Sequence, residues 1–298
     1  MTTQQPQPGI AFHRTLERPS GAGWRLVASA ALGVMGLLAM SVAGLLAVIG
    51  AARALGYDSF AFDLADGVNA AELLGVNLGL ALLIPVSGGL VWGLYGVRPR
   101  WLSSHRPKMR WPWFMWAVGV SALVWSIILV LGTAGAFLVR SQPVDLGVWA
   151  FVAVVLVTTP LQAAGEEYLF RGLLLQALGA TRLPMWACCV GSGALFAVAH
   201  LQFQAPLFAD RFLLGCVLAW LAIRTGGIEA GIAIHTVKNI AVLVPAGLLD
   251  EVSDALDPSG VTWIPLIVDA VLLAIAVPCM LAAHRRIVQA PPQAHLTA

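Results

Sequence analysis

The chain has 298 residues, 59% of them hydrophobic and only 11% charged, with a mean hydropathy of +0.84. Soluble domains carry roughly 25% charged residues, so this composition excludes a soluble globular protein and describes a polytopic membrane protein. A net charge of +2 gives no basis for a nucleic-acid partner, and none is expected.

Taken in order, residues 1–23 are polar and interrupted by Pro6, Pro8 and Pro19, and they read as a disordered cytoplasmic tail. The apolar run that follows is longer than a signal-peptide core and lacks a small-residue cleavage site, so it should stay attached as the first span. A span needs about 20 apolar residues. Such stretches fall at Trp24–Ile49, Leu73–Tyr95, Trp113–Val139, Leu146–Leu178, Leu183–Phe203, Phe212–Ile223, Ile228–Leu249 and Trp263–Ala283. The expected fold class is all-α, a transmembrane bundle of about eight helices with a cavity-containing core in its second half. Three helices lie within residues 24–140, the core occupies 146–249, a last helix covers 263–283, and 284–298 form a second cytoplasmic tail.

The fourth span contains Pro160 and is long enough for one kinked helix or for two pieces. Loop charge decides between them. With one helix, Arg14, Arg18, Arg25, Arg98, Arg100, Arg106, Lys108, Arg110, Arg182, Arg224, Arg285 and Arg286 gather on one side, and the Asp250–Asp257 acidic loop falls on the other. Positive charge stays cytoplasmic, so the expectation is a multi-pass protein of the cell membrane with both termini inside. Trp24, Trp92, Trp101, Trp111, Trp113, Trp149 and Trp263 lie near span ends, where amphipathic rings favour the interface. Cys188, Cys189, Cys216 and Cys279 have neither disulfide nor zinc-knuckle spacing and read as packing residues.

Three spans of the second half carry groups that lipid should exclude: Glu166, Glu167 and Arg171 in the fourth, His200 in the fifth, and His235, Lys238 and Asn239 in the seventh. Glu167 and Arg171 stand four apart, the favourable order for an ion pair. Glu166 is turned about 100° from Glu167; with no evident partner on its own helix, it should find partners on other helices. His235 and Asn239 share a face, so the amide should hold the imidazole. Lys238 reads as snorkelling or pairing structurally, with Glu229 as its candidate partner. Each group alone is explained by helix–helix bonding. Together, an unpaired carboxylate, two imidazoles and an amide can converge on a water molecule, supplying the base and the oxyanion donors that amide hydrolysis needs.

In order along the chain, E-E-x-x-x-R (Glu166, Glu167, Arg171), F-x-x-x-H (Phe196, His200) and H-x-x-x-N (His235, Asn239) resemble the CPBP family of intramembrane proteases. That family includes the CAAX prenyl endopeptidases and bacterial proteins linked with bacteriocin processing and immunity (the Abi group). Phe212-x-x-Gly215 resembles its weaker small-residue motif. The resemblance covers about Val148 to Leu249 and implies an endopeptidase acting on a membrane-embedded or membrane-associated peptide. It implies that Glu166 activates water, that His200, His235 and Asn239 bind and polarise the reacting groups, and that Glu167 and Arg171 shape the site around Phe196.

Three alternatives stay open. Glu166, His200 and His235 form a legitimate zinc shell; the metal-free version is preferred because no H-E-x-x-H pair is present and a ligating Glu166 would be lost as base. The same groups could relay protons in a transporter, although no inverted repeat joins the two halves. A non-catalytic immunity or scaffold protein could keep the fold.

Overall fold

The computed structural model describes residues 6, 9–18, 20–56, 69–139, 143–249 and 260–288, and every named element among them is helical. Helix α1 is Ala22–Ala54, α2 is Ala70–Ala81, α3 is Leu83–Tyr95 and α4 is Trp111–Val139. Helix α5 (Leu146–Glu167) continues through a π-helical turn (Tyr168–Leu174) into α6 (Leu175–Ala180). Next come α7 (Met185–Ala199), α8 (Ala205–Thr225), α9 (Glu229–Leu249) and α10 (Ile264–Ile287). Helices α2 and α3 form one span, broken at Leu82 because Pro85 has no N–H for the Ala81 carbonyl. The fourth span is one continuous helix, Leu146–Ala180.

Seven of these segments are long and apolar enough to cross a bilayer. The eighth, α7, has 15 residues and is about 22 Å long, short of the roughly 30 Å hydrocarbon core. It falls short of the expected Leu183–Phe203 because the chain turns after His200, where Leu201 takes a left-handed φ of 54°. Helix α8 starts seven residues before the expected Phe212. Asp210 and Arg211 argue against an apolar span there, but the fold pairs both.

Helix α5 packs on α2 at one side and α9 at the other; α4 lies along α9, and α7 and α10 both pack on α8. Asn77 Nδ2 donates to Thr158 Oγ1 at 2.8 Å and fixes α2 against α5. At the arginine-rich end, buried Arg110 binds both oxygens of Glu229 at 2.7 Å and also donates to the Thr225 carbonyl. This clasp takes Glu229 away from Lys238. Trp24, Trp92, Trp111, Trp149 and Trp263 are exposed at helix ends as the interface reading requires, whereas Trp113 is buried against His284, its ring centroid 5.0 Å away.

Part of the N-terminal segment, expected to be disordered, is packed. Phe12–Arg14 form a short 3-10 turn, and Phe12 and Leu16 are fully buried. Phe12 enters a cluster with Leu175, Cys188, Ala219 and Ile232, and Glu17 pairs with Arg182 at 2.7 Å. The high polar content hid two apolar anchors four residues apart. Residues 1–5, 7, 8 and 19 of that tail, and 289–298 of the C-terminal one, lie outside the described residues.

Candidate active site

The last turn of α5 brings Glu166 and Glu167 into the interior, and the chain then widens into the π-turn carrying Arg171. Single π-turns inside α-helices are frequent at functional sites because the extra residue re-aims side chains. Glu167 and Arg171 are both completely buried, and Arg171 Nη1 donates to Glu167 Oε1 at 2.7 Å. The same oxygen lies 3.1 Å from His235 Nδ1 on α9. Glu167 therefore also reaches the histidine: α9 approaches the gap between the two carboxylates and meets both. A Cβ on Gly231, one turn before His235, would stand 2.6 Å from Glu167 Oε2, so glycine there makes room for the carboxylate.

Glu166 has a partner on its own helix, contrary to the expectation from sequence. Gln162 Nε2, one turn earlier, donates to Glu166 Oε1 at 2.6 Å. The Gln162 side-chain oxygen Oε1 accepts from Asn239 Nδ2 at 3.3 Å. Asn239 thus reaches Glu166 through Gln162, and His235 is held by Glu167 instead of by Asn239. The signal for Gln162 was present in the sequence as a Gln–Glu pair at i, i+4. The second oxygen of Glu166, Oε2, is buried with no hydrogen-bond partner among the described residues, and it faces His235 Nε2 at 3.7 Å.

His200 arrives at the end of α7. Its Nδ1 donates to the Phe196 carbonyl at 2.8 Å, which leaves Nε2 free of that bond. The Phe196 ring is the shared floor: its centroid lies 4.6 Å from His200 and 5.7 Å from His235, and the Arg171 guanidinium stacks over it at 4.4 Å. Helix α7 comes this close because Gly193 crosses Gly215 of α8, where a Cβ on Gly215 would stand 2.6 Å from Gly193 Cα. The chain offers Phe212-x-x-Gly215 at this crossing, and Arg171 Nη2 reaches the Gly215 carbonyl at 3.4 Å. His200 and Asn239 are half-buried, whereas Glu166, Glu167 and His235 are buried.

A second polar group lies beside the first. Lys238 Nζ binds Asp210 Oδ2 at 3.0 Å and Asp269 Oδ2 at 2.6 Å, tying α9 to α8 and α10, and Arg211 also pairs with Asp210 at 2.8 Å. Asp269 lies in the last helix, where sequence reasoning found no chemistry. As for a metal, no three His, Cys, Asp or Glu side chains among the described residues converge as a ligand set. Of the zinc candidates, Glu166 and His235 face each other, whereas His200 has Nδ1 committed to the Phe196 carbonyl. Chemically, the arrangement offers an open carboxylate oxygen, an imidazole edge facing it and an amide pair that orients the carboxylate.

Residues 145–241 match the family model described as type II CAAX prenyl endopeptidase Rce1-like. A curated relative, the uncharacterized protein YyaK of Bacillus subtilis (strain 168), is 32% identical over 100 residues, which is 31% of this chain and 33% of that protein. The chain thus spans about a third of the length of the curated relative it matches. The matched stretch contains Gln162, Glu166, Glu167, Arg171, Phe196, His200, His235 and Asn239. The family resemblance carried by the three motifs is shown over this stretch, and the seven long apolar helices make the chain a multi-pass membrane protein.

Proposed function

We propose that this chain is an intramembrane endopeptidase that hydrolyses a peptide bond of a membrane-embedded or membrane-associated substrate with a glutamate-activated water. The observation that carries this reading is Glu166 Oε2, a buried carboxylate oxygen with no hydrogen-bond partner among the described residues, facing His235 Nε2 at 3.7 Å inside the Rce1-like stretch. In the proposed reaction, Glu166 Oε2 takes a proton from water and the oxygen attacks the scissile carbonyl. His235, whose Nδ1 lies 3.1 Å from Glu167 Oε1, positions that water through Nε2 and polarises the reacting groups. Glu166 then returns its proton to the leaving amine. Gln162, steadied by Asn239, holds the Glu166 carboxylate in place. His200, half-buried at the end of α7, helps bind and polarise the reacting groups. Positive charge at one end of the bundle supports an orientation with both termini in the cytoplasm.

The test compares membranes from cells producing wild-type protein and Glu166→Gln, with all new protein N-termini chemically labelled. A defined set of cleavage termini should vanish with the variant while its quantity and unfolding midpoint stay unchanged. Identical termini in both samples overturn the proposal. Metal dependence is decided in the same preparation: activity surviving chelation in a metal-free sample supports the glutamate mechanism, and activity restored by zinc alone supports a shell of Glu166, His200 and His235.

A further inference from the structure

We propose that the cavity between the start of α7 and the ends of α8 and α10 binds the phosphate headgroup of an anionic phospholipid. The cavity has a volume of about 240 Å³ and is lined by Met185, Ile223, Arg224, Leu281, His284 and Arg285. Two arginines from different helices therefore line one hollow that no carboxylate among the described residues lines. Elsewhere in the chain, buried cations are matched: Arg110 with Glu229, Arg171 with Glu167, and Lys238 with Asp210 and Asp269. Arg224 and Arg285 are exposed and form no ion pair among the described residues.

Cations in the last turn of a helix are ordinary, since they favour the negative end of the helix dipole. That accounts for positive charge on α8 and α10 separately. It does not account for the convergence of both on a shared cavity, or for the apolar wall of Met185, Ile223 and Leu281 that completes it. A cationic rim over an apolar wall suits an amphiphile whose phosphate meets the arginines and whose glycerol and acyl part meets the wall. Helices α7 and α10 both pack on α8, so the hollow lies on α8 between them. The Arg224 guanidinium stacks 5.6 Å from the Trp220 ring, which orients its N–H edge while leaving it available. His284 is buried, 3.4 Å from Arg110 Nη1 and edge-on to Trp113, so the α10 side of the cavity is fixed in place. The cavity lies at the arginine-rich end of the bundle, which the positive-inside rule puts against the anionic leaflet.

This site is independent of the protease reading and is tested without a peptide substrate. The full-length protein, purified in detergent and stripped of lipid, is titrated with dioleoyl-phosphatidylglycerol, dioleoyl-phosphatidylcholine or inorganic phosphate, and followed by native mass spectrometry and thermal unfolding. Phosphatidylglycerol should give a one-to-one adduct and raise the unfolding midpoint; the other two at equal concentration should not. Combining Arg224→Gln with Arg285→Gln should weaken the lipid's apparent affinity about 10- to 30-fold, with the lipid-free midpoint unchanged. Combining Arg224→Lys with Arg285→Lys should retain most of the affinity. The proposal is overturned if the double glutamine variant binds phosphatidylglycerol like the wild type, or if inorganic phosphate alone reproduces the shift. It is also overturned if Arg98→Gln with Arg100→Gln causes the same loss, since that would mark diffuse surface charge.

Discussion

Glu166 and Glu167 are adjacent and chemically identical, yet the fold gives them different partners. Glu167 Oε1 is shared by Arg171 and His235, while its Oε2 lies against Gly231. Glu166 is anchored through Oε1 by Gln162 and keeps Oε2 on the side of His235 Nε2. Removing one partner of a buried ion pair costs about 3–5 kcal/mol because the other charge is left uncompensated. Glu167→Gln is therefore expected to lower the unfolding midpoint in detergent strongly, whereas Glu166→Gln leaves it unchanged. Equal losses would remove the proposed division of labour. Gln162→Leu deletes a hydrogen bond to a charged group, worth about 1.5–3 kcal/mol. Its kcat should fall roughly 10- to 100-fold with little change in KM, and Asn239→Ala should fall less because it acts through Gln162.

At the level of elements, His200 follows the last residue of α7, whereas His235 lies in the second turn of α9. The two are brought together by packing, with the Phe196 ring in contact with both imidazoles. The Gly193–Gly215 crossing sets this approach. Gly193→Leu should force α7 off α8 and abolish cleavage while the protein still inserts in the membrane; a fully active variant would show that the crossing does not position His200. The Lys238 network is the corresponding tie between α8, α9 and α10. Lys238→Met leaves Asp269 without its cation, while Arg211 still pairs with Asp210, and should destabilise by about 3–5 kcal/mol. In thermal unfolding, Asp269→Asn combined with Lys238→Met should recover part of that loss if the cost is the stranded charge.

For the whole molecule, the arginine-rich end is closed by a clasp and by the packed N-terminal turn. His105 joins these parts: its ring meets Phe12 edge-on at 5.7 Å, and its backbone N–H donates to the Gly226 carbonyl. Burial first, and then the positive charge of Arg110, hold its pKa below the usual 6.5, with Glu229 opposing in part. The folded state therefore resists protonation, and as pH falls below about 6.5 the unfolded chain takes up the proton first. The stability that His105 allows is complete above that pH and declines beneath it. The unfolding midpoint of wild-type protein should drop between pH 7.5 and 5 by more than that of His105→Gln; parallel curves would exclude this contribution.

The sequence by itself determined that the chain is a bundle of about eight apolar helices, because long uncharged runs have few other ways to satisfy their backbone in lipid. It also determined where the costly polar groups fall along the chain, since an ion pair such as Glu167–Arg171 is local to one helix face. Gln162 belonged to the same local class and was legible by the same rule. Only the tertiary structure decided which groups meet across helices: His235 with Glu167, Asn239 with Gln162, Arg110 with Glu229, and Lys238 with Asp210 and Asp269. Periodicity gives the rotation of a side chain about its own helix. The helix that comes to face it is chosen by glycine crossings, a proline break and a π-turn, whose effects appear only once the helices are packed.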